Sequence, residues 1–231
     1  MPSCQTDSHL PGLRDMFRRW LDSPPCALCG SGDTPGALLC RACHADLPWT
    51  HPHAGPASDG TGGVPVCTQL AALDYRFPVD AMIRRLKFEG RLWLAPVLGR
   101  LLLEGCSAAA RPQCLLPIPL SDQRLAERGF NQSTEIARVL AAATGIPMQP
   151  QLMRRVRDTA PQSSLPLAGR ERNLRGAFVV DRPVAGMHVA LVDDVTTTGA
   201  TGAEAAGALL RQGAARVDLW VVARTPRNPG R

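Results

Sequence analysis

The sequence predicts an α/β protein built on a mainly parallel β-sheet with flanking helices, preceded by a small metal-stabilised ribbon. Past residue 66, short apolar runs alternate with stretches of helical periodicity, the pattern of strands joined by crossover helices. Near the start of the chain stand two C-x-x-C pairs, Cys26/Cys29 and Cys40/Cys43. Between these regions the composition of residues 50–65 shifts to His, Pro, Gly, Ser and Asp with almost no large apolar side chain, which marks a linker. The expected organisation is therefore a helix within 1–23, a ribbon over 24–49, the linker, and the α/β domain over 66–231.

A chain of 231 residues, 45% hydrophobic and 20% charged, excludes wholesale disorder and can bury a core without disulfide staples. Lys and Arg total 26 against 20 acidic residues, for a net charge of +6, which favours anionic partners without choosing between nucleic acid and phosphorylated metabolites. Lys87 is the single lysine. Basicity carried by Arg suits phosphate recognition, and codon bias explains it equally well. Residues 1–9 have neither a basic start nor an apolar run, and the apolar stretch around residues 92–103 is interrupted by Arg100. The expectation is no membrane span and a cytoplasmic location.

Ahead of the ribbon, Leu10, Leu13, Phe17, Trp20 and Leu21 recur at helical spacing between Arg14, Arg18 and Arg19. They predict an amphipathic helix over 10–22 that docks on its own protein. In the ribbon, ten residues separate the two C-x-x-C pairs. Each short turn aims two thiolates the same way, and two such turns close a four-sulfur structural Zn²⁺ site with no open position for catalysis. Gly30, Gly32, Pro35 and Gly36 suit a ribbon that depends on its metal. A thioredoxin-like redox pair fits less well, since no strand precedes Cys26. Of eight Cys, the remaining Cys4, Cys67, Cys106 and Cys114 are scattered and expected free, the last two buried. His44, His51 and His53 are spare ligands at most.

Beyond the linker, helical periodicity over 79–103 is followed by a strand at 114–119 and a helix at 131–143. Then come a strand within 148–156, a helix around 166–175, a strand at 188–192, a helix at 200–212 and a strand at 217–223. Ligands of such sheets bind at the carboxyl ends of the strands, so the segments leaving Val192 and Leu120 hold the candidate site.

The first of these reads Val189-Ala-Leu-Val-Asp193-Asp194-Val-Thr-Thr197-Thr198-Gly199-Ala200-Thr201. A buried strand empties into Thr and Gly at a helix N-terminus, where free backbone N–H groups, hydroxyls and the helix dipole make a monophosphate cradle. Adjacent carboxylates on an extended segment point to opposite sides. Asp193 and Asp194 are therefore expected to meet sugar hydroxyls or a metal's water shell rather than to work as a mutual acid/base pair. No G-x-x-x-x-G-K is present, which removes a Walker-type ATPase reading.

This stretch resembles the 5-phosphoribosyl-1-diphosphate (PRPP) signature of type I phosphoribosyltransferases. The resemblance implies that Thr197, Thr198, Gly199, Ala200 and Thr201 wrap the 5-phosphate while Asp193 and Asp194 hold the ribose hydroxyls. Thr196 stands where an aliphatic residue is usual. After Leu120 comes a polar loop, Arg124-x-x-x-Arg128-Gly-Phe-Asn-Gln132, whose arginines could clamp a diphosphate through planar charge-assisted hydrogen bonds.

With the proline-framed strand before it, this loop is similar to the signature of the ComF/GntX family of phosphoribosyltransferase-like proteins. Further agreement comes from Tyr75, Ile83-x-x-Leu-Lys87-Phe88-x-Gly90, and Arg155-x-x-x-Thr159-x-x-Gln162-x-x-Leu165. Arg170, Arg172, Asn173 and Phe178, and Leu47-Pro-Trp49 after the Cys pairs, extend it, so the likeness covers most of residues 24–224. Many relatives carry further C-x-x-C pairs after that Trp, whereas this chain has only Cys67, so one zinc rather than two is expected.

The resemblance implies a type I phosphoribosyltransferase fold behind a zinc ribbon, binding Mg²⁺-PRPP. Arg124, Arg128 and, less firmly, Lys87 would meet the diphosphate, Asp193 and Asp194 would serve catalysis, and residues 154–172 would form a flap. The acceptor is unsettled, a nucleobase or an amine. Some bacteria link the family to DNA uptake in natural transformation. The alternative is a non-catalytic PRPP sensor, or a protein whose partner is single-stranded DNA or the competence machinery. Against it, only ten residues are Phe, Trp or Tyr, and no basic stretch interleaves them. A repressor is least favoured, for want of a helix-turn-helix pattern.

Overall fold

The computed structural model describes residues 25–32, 34, 38–50, 68–106, 111–157 and 176–226. The helix expected over 10–22, the linker after Thr50, Cys67 and the helix expected near 166–175 lie outside them, as does most of the expected flap. The chain divides into two compact units between Asp46 and Leu47. That division falls three residues before the ribbon's expected end.

In the first unit Cys26 opens a tight turn, its carbonyl accepting from Gly30 N at 2.9 Å. Cys40 caps the short helix α1 (Arg41–Ala45), its sulfur accepting from Cys43 N at 3.5 Å. Each C-x-x-C pair thus sits on a turn whose backbone N–H groups face a thiolate.

The second unit holds a four-stranded parallel sheet. Its strands are β1 (Thr68–Asp74), β2 (Cys114–Pro117), β5 (His188–Thr196) and β6 (Arg216–Arg224), in the order β1-β6-β5-β2. The helices α2 (Val79–Glu89) and α3 (Leu94–Gly105) follow β1, and α4 (Asp122–Arg128) and α5 (Gln132–Thr144) follow β2. A small antiparallel pair, β3 (Met153–Arg155) with β4 (Phe178–Val180), precedes β5, and α6 (Ala200–Arg211) joins β5 to β6.

Alternation along the buried strands divides the core between the two sheet faces. Leu116, Val189, Leu191, Val217, Leu219 and Val221 pack with Ala205, Ala206 and Leu209 of α6 and with Met153 and Phe178 of the small pair. On the other side α3 and α5 pack against each other and the sheet, burying Leu98, Leu102, Ile136 and Leu140. Opposite the strands' carboxyl ends, buried Asp218 accepts from Arg216 Nε at 3.0 Å and lies 2.8 Å from His188 Nε2, while Arg216 Nη2 reaches Thr68 Oγ1 at 3.0 Å. This clasp ties β1, β5 and β6 together.

Several elements differ from the sequence expectation, among them β4, a strand where none is expected. β1 reads T-Q-L-A-A-L-D, with Thr68 its one β-branched residue and no strict alternation, and is extended because β6 offers it a parallel ladder. The helix expected over 79–103 is two helices, broken by a turn at 90–93. The strand expected within 148–156 shrinks to three residues and pairs with β4, while Met148 bridges Leu115. The polar loop of Arg124 and Arg128 is the helix α4, capped by Ser121 and ended by Gly129.

At the end of α3 the helix crosses β1 so closely that a Cβ on Gly105 would meet Ala72 Cβ at 2.6 Å and its Cα at 2.8 Å. Backbone would have to move. Gly105→Ala is expected to lower stability by about 1–3 kcal/mol in urea denaturation, because overpacking outweighs the gain in helix propensity of up to ~1 kcal/mol. A variant as stable as the parent would disprove the close crossing.

Candidate functional site

The carboxyl ends of β2 and β5, with the helices that follow β1 and β2, enclose a cavity of about 590 Å³. Its lining includes Lys87, Arg124, Arg128, Asp193, Asp194, Thr197 and Thr201, so sequence-predicted residues from three separate segments meet there. A smaller recess of about 40 Å³, lined by residues 195–202, adjoins it, and Asp193 faces both.

The recess is the predicted phosphate loop. Gly199, with φ of +78°, turns the chain in the left-handed region that a side chain would strain, and α6 begins at Ala200. Thr198 Oγ1 accepts from Ala200 N, the first N–H of α6, at 3.4 Å, in the turn whose N–H groups lack partners within the helix. Gly202 then lets α6 lie against β6, for a Cβ there would stand 2.5 Å from Leu219 Cδ2.

The acid pair is held by the first turn of α5. Asn131 caps that helix, accepting from Ser133 N at 2.9 Å, and its amide donates to Ile118 O at 3.0 Å, which fixes the helix start against the end of β2. Ser133 Oγ then donates to Asp193 Oδ1 at 2.8 Å, and Gln132 Nε2 to Asp194 Oδ1 at 3.1 Å. Lys87, from α2, places its ammonium 2.5 Å from Asp194 Oδ2. Asp194 is only 1% exposed, so this ion pair is what makes its charge tolerable.

Contrary to the expectation that the two carboxylates diverge, both line the one cavity and feel each other. Burial and then the charge of Asp194 push Asp193 up to about 7, and Lys87 and the Ser133 hydroxyl pull only partly the other way.

On α4 the two arginines stand four residues apart and so share a helix face. Arg128 hydrogen-bonds Gln132 Oε1 and lies over the Phe88 ring, 5.7 Å from its centroid. Burial lowers its pKa below the usual guanidinium range; the charge of Asp194 opposes this and that of Arg124 adds to it. A desolvated cation beside a second cation is an environment that gains from an anion.

Sequence reasoning missed the roles of Gln132, Ser133 and Arg155. The first two are buried polar residues in the first turn of an amphipathic helix, directly after its Asn131 cap. Arg155 lines the cavity from β3, with its guanidinium 5.6 Å from the Phe178 ring centroid, and no local pattern announces that.

In the first unit the sulfurs of Cys26, Cys29, Cys40 and Cys43 lie within 4.8 Å of one another, the one such group among the described residues. Cys29 Sγ and Cys40 Sγ are 3.8 Å apart, too far for a disulfide and equal to the edge of a tetrahedron with Zn–S bonds of about 2.3 Å. Burial works to raise Cys26, but backbone N–H donation, Cys29 first, outweighs it and brings the thiol down to about 6. Burial and the neighbouring thiols push Cys43 upward. The set fits a structural metal such as zinc.

No family model matches the chain. Over 207 residues it is 38% identical to the DNA utilization protein YhgH of Salmonella typhimurium, covering 87% of this chain and 90% of that protein. Competence protein F of Haemophilus influenzae is 33% identical over 159 residues, 65% of this chain and 69% of the relative. Among solved structures, a purine phosphoribosyltransferase from Pyrococcus horikoshii aligns at a TM-score of 0.36 and 16% identity, over 60% of this chain and 80% of that one. No described helix is long and apolar enough to cross a membrane.

Metal analysis of the purified chain is expected to give about one zinc per molecule, falling to none in Cys29→Ser plus Cys40→Ser; a double variant that keeps one equivalent would defeat the four-thiolate site. For Asp193 the folded state favours the protonated form. The residue therefore costs no stability below pH ~4, an increasing amount up to about pH 7, and a constant amount above. Thermal melts should show Asp193→Asn stabilised relative to the parent by a margin that grows across that window and then levels. A margin independent of pH would contradict the shift.

Proposed function

The chain belongs to the ComF/GntX family of phosphoribosyltransferase-like proteins, and from that premise we propose that its cavity binds Mg²⁺-PRPP and presents the sugar for phosphoribosyl transfer. One observation carries the reading: a buried carboxylate pair, oriented by Lys87, Gln132 and Ser133, adjoins a helix-N-terminal Thr/Gly recess on one side and two arginines on the other. Donors for a monophosphate in the recess, and acceptors for hydroxyls and cations for a diphosphate in the cavity beside it, thus lie next to one another.

In this reading the N–H groups and hydroxyls of residues 197–201 take the 5-phosphate. Asp193 and Asp194 accept from the ribose 2- and 3-hydroxyls, and Arg124 and Arg128 take the leaving diphosphate in their planar forks. Lys87 neutralises Asp194 and stands ready to share its charge with a diphosphate oxygen. When bound, Mg²⁺ would supply further neutralisation of the diphosphate, and Asp193 and Asp194 would hold its water shell. The protein's contribution is positioning and charge compensation around C1.

That its relatives are a DNA utilization protein and a competence protein supports a second reading, in which the working partner is DNA or another protein and PRPP is at most sensed. The two separate on one experiment. Calorimetric titration of Mg²⁺-PRPP is expected to show binding to the parent that weakens at least roughly tenfold in Asp193→Asn plus Asp194→Asn. Diphosphate release in the presence of candidate acceptors, lost in the same variant, would mark an enzyme. No binding by the parent would end the PRPP reading, and a salt-dependent oligonucleotide affinity that survives the double substitution would favour the nucleic-acid one.

A further inference from the structure

One side chain of the cavity lining has no part in the phosphate, ribose and diphosphate contacts assigned above. Phe88, in the last turn of α2, lines the cavity with 75% of its surface exposed. The guanidinium of Arg128 packs over the ring, and Arg128 is itself tied to Gln132. Phe130, just past the end of α4, lines the same cavity.

Single exposed apolar side chains are ordinary on protein surfaces and need no partner. Phe88 differs in three respects: it borders a cavity rich in charge, a cation is stacked on it, and a second aromatic lies in the same wall. Burial does not explain the ring's position, because most of it stays in water. An Arg–aromatic stack held this way keeps a flat π surface open beside polar groups, an environment complementary to a flat, polar-edged ring.

We infer that Phe88 is the platform on which a planar heteroaromatic base stacks in this cavity, which selects a base over an aliphatic amine as the second ligand. The inference rests on the reading of the cavity as a PRPP site, with the base lying against the ring while the acid pair and arginines hold the sugar and diphosphate. Stacking is tolerant of base identity because every base has a π face. The same chemistry serves a free base, a nucleoside or a base within a single strand.

The test uses the full chain with Phe88→Leu, which keeps an apolar cover under Arg128 without a π face, and Phe88→Trp, which enlarges that face. Phe88 is largely exposed, so neither change removes a core contact. Calorimetry with adenosine, thymidine, oligothymidylate and an abasic strand of equal length is run with and without Mg²⁺-PRPP. Base-bearing probes are expected to bind the parent, to bind Phe88→Leu at least roughly fivefold more weakly, and to bind Phe88→Trp as well as the parent, with quenching of the added indole. Binding of the nucleosides would assign a small base-bearing ligand; binding of oligothymidylate but not of nucleosides or the abasic strand would assign a base within a strand, and either supports the platform. Equal affinities of parent and Phe88→Leu, or no base-dependent binding by the parent, would overturn it. Mg²⁺-PRPP titrated alone reports separately on the underlying reading, since its failure to bind would leave the comparison of parent and Phe88→Leu decisive.

Discussion

Two neighbouring carboxylates lie largely out of water at the end of β5, and the arrangement of the second unit follows from making that tolerable. A buried carboxylate without partners costs several kcal/mol or takes up a proton. Here the two acids are treated differently. Asp194 keeps a cation from α2 and an amide from α5, whereas Asp193 has a hydroxyl and the repulsion of its neighbour and is pushed up to about 7. The partners come from segments more than forty residues apart in sequence, so α2, α5 and β5 must all be seated before the acids are satisfied.

That requirement gives meaning to features that look incidental one at a time. Asn131 caps α5 and also bonds Ile118 O, so the helix starts at a fixed height above β2 and delivers Gln132 and Ser133 to successive residues of β5. Gly202 lets α6 approach β6, setting the recess at residues 197–201 beside Asp193. At the far end of the sheet, the clasp in which Asp218 meets His188 and Arg216, and Arg216 meets Thr68, joins β1, β5 and β6. The four-thiolate cluster is a separate matter: its geometry is internal to the first unit and fits a metal without an open position.

Electrostatics also explain why the cavity suits an anion with hydroxyls. Positive groups from α2 and α4 face an acid pair, and Arg128 is held below its usual range by burial, with Arg124 adding its like charge. The proposed ligand, with diphosphate at one end and a monophosphate at the other, would relieve the arginines of α4 and meet the N-terminus of α6 while its hydroxyls meet the acids. Net charge alone could not have indicated this, since +6 over the chain fits nucleic acid as well.

The parallel sheet, the strand leading into Asp193-Asp194, the Thr/Gly turn and the Cys pairs were legible in the sequence, because each is a local pattern: an apolar run, a cap, a spacing. So were the residues that line the cavity from α4 and α6, although α4 itself was read as a loop despite its Ser121 cap and Gly129 stop. What only the tertiary structure decided is non-local. Lys87 finds Asp194, Gln132 and Ser133 divide the acids between them, Arg155 enters from β3, β1 becomes a strand because β6 is there to pair with, and Phe88 keeps its ring in the cavity wall. Sequence specifies patterns over a few turns of chain. Which distant groups come within hydrogen-bonding reach depends on how helices pack on the sheet, and a charge buried by that packing is stable only where the fold supplies its partner.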